Sequence, residues 1–320
     1  MTSSASWAAV RVGSVELPTP VMTASGTAGH GTELAPYVDL SSLGAVVVKS
    51  LAPYEWAGNP APRVHPAGVG MLNAVGLQGP GVRRWLTDDL PGLAAAGARV
   101  VASIWGRSID DYREAAELLA GAPAAVIAVE VNLSCPNLEG RRGIFAHDAA
   151  LSAEVIAATA ACGRPRWAKL SPNTDRVVEV AAAAQDAGAD AVTLVNTLLG
   201  MVLDEQTGRP VLGAGGGGYS GRPLHAVAVR TVFDVHAALP DLPIVGVGGV
   251  ASGWDAAELL LAGASAVQVG TSTFADPAAP ERVQRELLAW CRARGVSPSG
   301  LTGAAHRGGL DALPGGDRRP

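Results

Sequence analysis

Eight short apolar runs recur along the chain, at residues 21–26, 45–50, 100–105, 126–132, 166–170, 191–196, 243–249 and 266–271. Each is apolar nearly throughout rather than alternating, the pattern of a parallel strand buried on both faces. Between them lie Ala-, Leu- and Val-rich segments with helical periodicity, at 86–96, 110–120, 151–161, 176–187, 223–238 and 254–262. Several end at a glycine suited to a helix C-terminus, as in Ala96-Gly97, Ala187-Gly188 and Ala262-Gly263. This alternation predicts an α/β architecture, a (β/α)8 barrel, with a doubly wound open sheet as the main alternative. Residues 7–17 predict a short N-terminal hairpin that closes the barrel's bottom. Two connections are long, 51–84 and 197–222, and both leave the carboxyl ends of strands. They predict long loops over the barrel mouth, the face where barrel enzymes place their chemistry.

A length of 320 residues fits a single barrel domain over 1–312, with a Pro/Gly/Arg-rich tail at 313–320 expected to fray. The chain carries 24 basic and 29 acidic residues, with no basic stripe, which excludes nucleic acid as an expected partner. Cys135, Cys162 and Cys291 are odd in number and widely spaced. They make neither a disulfide framework nor a metal or cluster set, and the histidines show no metal spacing. The first residues lack a basic segment leading into an apolar core, so no signal peptide is expected. No apolar run is long enough to span a bilayer, and the expected location is the cytoplasm.

The stretch Ala128-Val-Glu-Val-Asn-Leu-Ser-Cys-Pro-Asn137 carries the densest chemistry. Proline cannot continue a central strand, so Cys135 is expected on a loop just past the strand end. Other strand ends are also polar: Ser25-Gly26-Thr27, Lys49-Ser50, Lys169 and Asn196-Thr197. The last two runs end in Gly246-Val-Gly-Gly249 and Gly270-Thr271, turns whose N–H groups suit a phosphate, from a phosphorylated substrate or from FMN. The bland alternative is that these glycines only permit tight turns.

Lys49 and Lys169 end apolar runs, and their ammonium groups are expected in the mouth. There they could stabilise charge on a reduced flavin or hold a substrate carboxylate. The alternative is that each pairs with an acid, Glu130 being the obvious candidate. Asn73, Asn132, Asn137 and Asn196 can each donate and accept around a planar ring.

Other features carry less. Gly213-Ala-Gly-Gly-Gly-Gly218 matches a dinucleotide fingerprint, yet no strand precedes it and Asp234 falls in a helical pattern. A mobile lid is the expected role. Cys162 and Cys291 read as packing, His225 as a surface or capping residue, and Trp85, Trp254 and Trp290 as core. Trp105, near the third strand's end, is expected to wall the pocket.

Several motifs occur together and in order: Ala24-Ser-Gly-Thr27, Val48-Lys-Ser50, Met71-Leu-Asn-Ala-Val-Gly-Leu-Gln78, Asn132-Leu-Ser-Cys-Pro-Asn137, Lys169-Leu-Ser-Pro-Asn173, Val195-Asn-Thr197, Tyr219-Ser-Gly221, Gly246-Val-Gly-Gly249 and Val269-Gly-Thr271. From about Val15 to Leu288 the chain resembles the class 1 dihydroorotate dehydrogenases, FMN-containing barrels that oxidise dihydroorotate to orotate in pyrimidine biosynthesis. Leu72-Asn-Ala-Val-Gly-Leu-Gln and Gly143-Ile-Phe-Ala-His-Asp148 resemble the 1B form. That form pairs with a subunit holding FAD and a [2Fe–2S] cluster, so the resemblance implies such a partner and a homodimer or heterotetramer. It implies Cys135 as the base for the C5 proton, while FMN takes the C6 hydride. It places Lys49, Asn73, Ala74, Val75, Gly76, Leu77, Asn132, Asn137, Asn196 and Thr197 around the substrate. It places Ser25, Lys49, Ser50, Ser103, Asn132, Lys169, Val195, Gly221, Gly248, Gly249, Gly270 and Thr271 around FMN.

The chain departs from the family pattern in three places. Ser103 stands where an asparagine is expected, Gln78-Gly-Pro-Gly81 replaces Gln-Asn-Pro-Gly, and Arg222-Pro-Leu-His-Ala226 replaces Pro-Ala-Leu-Lys-Pro. These motivate one rival, a related FMN barrel acting on another dihydropyrimidine or cyclic imide. A flavin-free phosphate-binding barrel and a non-catalytic binding subunit are the others.

Overall fold

A computed structural model describes residues 7–134, 136–137 and 143–313. The chain opens with the hairpin β1 (Val10–Val12) and β2 (Val15–Leu17), whose residues alternate buried and exposed. Next come β3 (Val21–Thr23) and β4 (Val46–Val47), joined by a connection whose one helical element is a single 3-10 turn, Leu40–Ser42. β5 (Val64–Ala67) and β6 (Gly70–Asn73) follow, then β7 (Val100–Ile104) and β8 (Val126–Asn132). The short pair β9 (Pro136–Asn137) and β10 (Gly143–Ile144) precedes β11 (Arg166–Lys169) and β12 (Ala191–Leu194). The last are β13 (Leu198–Gly200), β14 (Gly217–Gly221), β15 (Ile244–Val247) and β16 (Ala266–Val269).

Eight strands make one parallel sheet in the order β3-β16-β15-β12-β11-β8-β7-β4. The seam between β3 and β4 is closed by Thr23, whose N–H donates to Ala45 O (3.3 Å) and whose hydroxyl accepts from Val47 N–H (2.8 Å). Sequential order around a closed ring is the (β/α)8 barrel and rules out the open sheet. All eight apolar runs fall on barrel strands.

The helices cover the outside, with two departures from the periodicity. No α-helix follows β3. The pattern at 86–96 belongs to two helices, Val82–Asp88 and Leu90–Ala95, because Pro91 has no N–H with which to continue the ladder. Among the described residues no helix is long and apolar enough to cross a membrane.

The two-residue period of a strand sorts the barrel interior into layers. The lowest layer is apolar: Met22, Ala45, Val47, Val101, Ala128, Trp167, Ala191, Val245 and Ala266 pack on Val10, Val12, Val15 and Leu17 of the hairpin. The hairpin therefore plugs the bottom, as the sequence predicts. Two residues further along the same strands stand Lys49, Ser103, Glu130, Lys169, Thr193 and Gln268. The interior changes from apolar to polar in one step towards the carboxyl ends.

Above the mouth the two long connections meet in an antiparallel sheet of order β13-β14-β6-β5. The Gly-rich stretch ends in this sheet over the mouth, where Gly217 and Gly218 are strand residues paired with β13 and β6. Their lack of side chains answers crowding. A Cβ on Gly217 would collide with Asn73 O, and one on Gly218 with the Thr197 hydroxyl.

Candidate active site

The barrel mouth opens into two adjoining compartments. One runs from Ser25 and Ser50 past Lys169 and Val195 to Gly221, Gly248, Gly249, Gly270 and Thr271. The other is lined by Ala74, Gly76, Ser134, Ser171, Asn173 and Gly218. Lys49, Asn73, Val75, Leu77, Asn132, Asn196 and Thr197 line both. Apart from Ser103, the predicted cofactor residues thus gather in the first space; apart from Asn137, the predicted substrate residues line the second, and the residues shared by both line the junction.

The amides at the junction are partly spoken for. Asn132 Oδ1 accepts from Ser134 N–H (3.2 Å) and Asn196 Nδ2 (3.2 Å), while its Nδ2 donates to Ser50 Oγ (3.3 Å). Asn196 Oδ1 accepts from Thr197 N–H (2.8 Å), and Asn73 Nδ2 donates to Gly218 O (3.4 Å). An amide has two N–H groups and two acceptor sites. Among the described residues each of these three therefore keeps at least one N–H for a ligand, in an orientation the protein has already fixed.

The two lysines differ. Lys169 is buried, and its ammonium lies 3.2 Å from Glu130 Oε1, so the pairing alternative holds for it. Glu130 and Asn132 are two residues apart on one strand and share a face. Lys49 has no carboxylate partner among the described residues. Burial, and then the charge of Lys169, push its pKa below the usual lysine value.

The glycine turns are built for close approach. Gly248 and Gly249 have φ of 138° and 66°, and a Cβ would come within 2.7 Å of Ala228 Cβ and His225 Cβ respectively. His225 is neither a surface nor a simple capping residue. Its Nδ1 meets Gly248 O at 2.8 Å and its Nε2 meets Glu258 Oε2 at 3.1 Å, which ties the turn to the helix Gly253–Ala262. The ligating atoms of His225, Asp255 and Glu258 lie within 4.8 Å of one another. Asp255 Oδ2, however, is already engaged by Arg222, by Ala251 N–H (2.9 Å) and by Ser252 Oγ (2.9 Å). The cation of that cluster is Arg222.

Ser103 lines neither compartment. It is fully buried and bonded to Ser50 Oγ (2.8 Å) and Ser25 Oγ (3.3 Å), so it sits behind two pocket hydroxyls. Trp105 likewise lies behind the wall, packed with Ala52, Tyr54, Trp56 and Leu77. Trp85 is core as expected, whereas Trp254 is 46 % exposed and packs on one side against Trp290. Cys135 lies outside the described residues, and Asn137 is described only as backbone in β9.

Met71, Leu224, Val247 and Phe274 also line the first compartment, and Ser171 and Asn173 the second, positions not expected there from the sequence. Asn173 carried a signal in Lys169-Leu-Ser-Pro-Asn173. Its Nδ2 donates to Thr197 O and to Ser171 Oγ (both 2.9 Å), bracing the junction.

Cys162 and Cys291 are buried, and burial raises both thiol pKa values, that of Cys291 to about 11. Neither is expected to react with a maleimide before unfolding. Peptide mapping of the labelled native protein checks this, and early modification of either peptide would contradict their burial.

The sequence matches the family model described as "Dihydroorotate dehydrogenase" over residues 7–290. A protein of Desulforudis audaxviator named "Dihydroorotate dehydrogenase B (NAD(+)), catalytic subunit" is 44% identical over 303 residues, covering 94% of this chain and 98% of that one. One of the same name from Trichlorobacter lovleyi is 43% identical over 297 residues, covering 92% and 97%. A relative from Solibacter usitatus, 43% identical over 283 residues and covering 88% and 92%, carries a provisional name of the A (fumarate) type. With a matching family model over most of its length and relatives that it covers almost end to end, the chain belongs to the dihydroorotate dehydrogenase family.

Proposed function

We propose that this chain is an FMN-dependent dihydroorotate dehydrogenase that forms orotate in pyrimidine (UMP) biosynthesis, as a single catalytic domain over residues 1–312 in the cytoplasm. The observation that carries this is the junction: one half-buried lysine and three oriented asparagines shared between a glycine-ended compartment and a polar one. A planar ring of alternating N–H and C=O groups matches amides that both donate and accept.

The residues present fit FMN. Gly248 and Gly249 line the first compartment and press so closely on Ala228 and His225 that neither has room for a Cβ, and their turn lies where a barrel of this kind binds phosphate. Ser25, Lys49, Ser50, Asn132, Lys169, Val195, Gly221, Gly270 and Thr271 would hold the rest, with Ser103 supporting two of the hydroxyls. When bound, FMN supplies the two-electron acceptor for the hydrogen lost from C6.

The chain's own groups do the remaining work. Cys135 removes the C5 proton, which the neighbouring carbonyl makes acidic. Lys49 holds the substrate carboxylate, and Asn73, Ala74, Val75, Gly76, Leu77, Asn132, Asn137, Asn196 and Thr197 fix the ring. The name shared by relatives, a catalytic subunit of an NAD(+) enzyme, supports a partner subunit. We assign that partner FAD and a [2Fe–2S] cluster, since the three cysteines here form no cluster set, and the assembly is a homodimer or heterotetramer.

Anaerobic mixing of the purified protein with dihydroorotate tests the reading. Bleaching of a bound flavin is expected. Faster bleaching by dihydrouracil would favour the related dihydropyrimidine enzyme, and a protein that neither carries nor takes up flavin would end the proposal. Reoxidation by NAD only after addition of the partner, and not by fumarate alone, is expected to follow.

A further inference from the structure

We infer that Glu130, which lines neither compartment, is a positioning residue that holds the Lys169 ammonium at the pocket floor and cancels its charge, leaving Lys49 as the net cation among the described residues of the site. This rests on reading the first compartment as a flavin site. Ala128, Glu130 and Asn132 share the inner face of β8, with Ala128 in the apolar floor and Asn132 at the junction. Glu130 lies between them with no exposed surface.

A carboxylate only accepts hydrogen bonds, and three other strands supply donors to this one. Lys169 Nζ on β11 reaches Oε1 at 3.2 Å, and Thr193 Oγ1 on β12 and Gln268 Nε2 on β16 reach Oε2 at 3.1 Å and 2.7 Å. Such convergence fixes the ammonium of Lys169, which a flexible four-carbon stem alone would not do.

Two observations give the arrangement a purpose beyond stability. First, buried ion pairs are often replaceable by apolar residues of similar volume without loss of stability, so their presence calls for another reason. Second, the head of the pair faces the cavity while its base does not, as Lys169 lines the first compartment. Two lysines at one mouth repel each other, and that repulsion is among the causes that lower the Lys49 pKa. A carboxylate beneath one of them lets both stay in place.

The test measures the flavin midpoint potential in the purified holoprotein by titration against a reference dye. Glu130→Gln leaves Lys169 uncompensated, so reduced flavin is expected to be favoured over oxidised by about tenfold more, a positive shift of about 30 mV for a two-electron couple. Glu130→Asp keeps the charge and is expected to stay near the wild-type value. An unchanged potential in Glu130→Gln, or equal shifts in both variants, would overturn the inference and leave a packing role.

If Glu130→Gln does not fold, Gln268→Leu replaces it. That change removes one neutral donor and keeps both charges, so a negative shift is expected, and no shift overturns the inference. Wild-type protein that takes up no FMN would instead remove the flavin reading itself, a distinguishable result.

Discussion

Cys135→Ala is expected to slow flavin reduction by dihydroorotate by about 100- to 10,000-fold, the usual worth of a positioned general base, while the protein remains yellow. β8 ends at Asn132. Asn132 Oδ1 holds Ser134 N–H at 3.2 Å, and Ser134 lines the second compartment, so the chain reaches that space immediately before Cys135. No cofactor residue assigned above follows Ser134 before Lys169, so loss of the thiol should spare flavin binding. A free thiol has a pKa of about 8.5 and is only a few per cent thiolate at neutral pH. The wild-type rate of flavin reduction should therefore climb with pH through the neutral and mildly alkaline range, and the variant should lack that rise. Stopped-flow absorbance measures both. Near-normal reduction by Cys135→Ala, or a flat wild-type profile with chemistry rate-limiting, would remove the thiol from the mechanism.

Much of this site was legible because its residues sit at strand ends, where an apolar run followed by Lys, Asn, Ser or Gly reports both position and direction. Lys49, Asn132, Lys169 and Asn196 were readable in that way. Residues whose meaning depends on a distant neighbour were not. Ser103 looked like a shortened cofactor contact, and only the fold shows it bonded behind Ser25 and Ser50. The close contacts of Gly217 and Gly218 with Asn73 and Thr197 are not legible either, because composition does not tell what a glycine packs against. His225 looked peripheral, since its partners Gly248 and Glu258 are 23 and 33 residues away along the chain. The split of the helical pattern at Asp89 was foreseeable from Pro91, a local signal that the periodicity outweighed.

Lys49→Met is expected to lower the rate of flavin reduction by dihydroorotate by about 100- to 1,000-fold, comparable to removing one preorganised donor from a charged transition state. Lys49 lines both compartments, and its ammonium has no carboxylate partner among the described residues. Lys169, by contrast, spends its charge on Glu130. The cost of keeping Lys49 unpaired appears in its titration, because burial first and Lys169 second lower its pKa from 10.5. The folded protein therefore binds fewer protons at this site than the unfolded chain between the lowered value and 10.5, and its contribution to stability rises with pH across that window. Below the window the charged ammonium is a constant penalty on folding. Lys49→Met removes that penalty, so its melting temperature at neutral pH should equal or exceed the wild type while its activity falls. The same titration sets the alkaline limb of the pH profile: orotate affinity should decline as pH rises through the lowered pKa, before an ordinary lysine would lose its proton. In Lys49→Met that decline should vanish and orotate should bind weakly at every pH. Thermal melts and orotate titrations across pH measure the two effects separately. A variant that is both less stable and unchanged in its orotate profile would show that Lys49 packs the mouth rather than charging it.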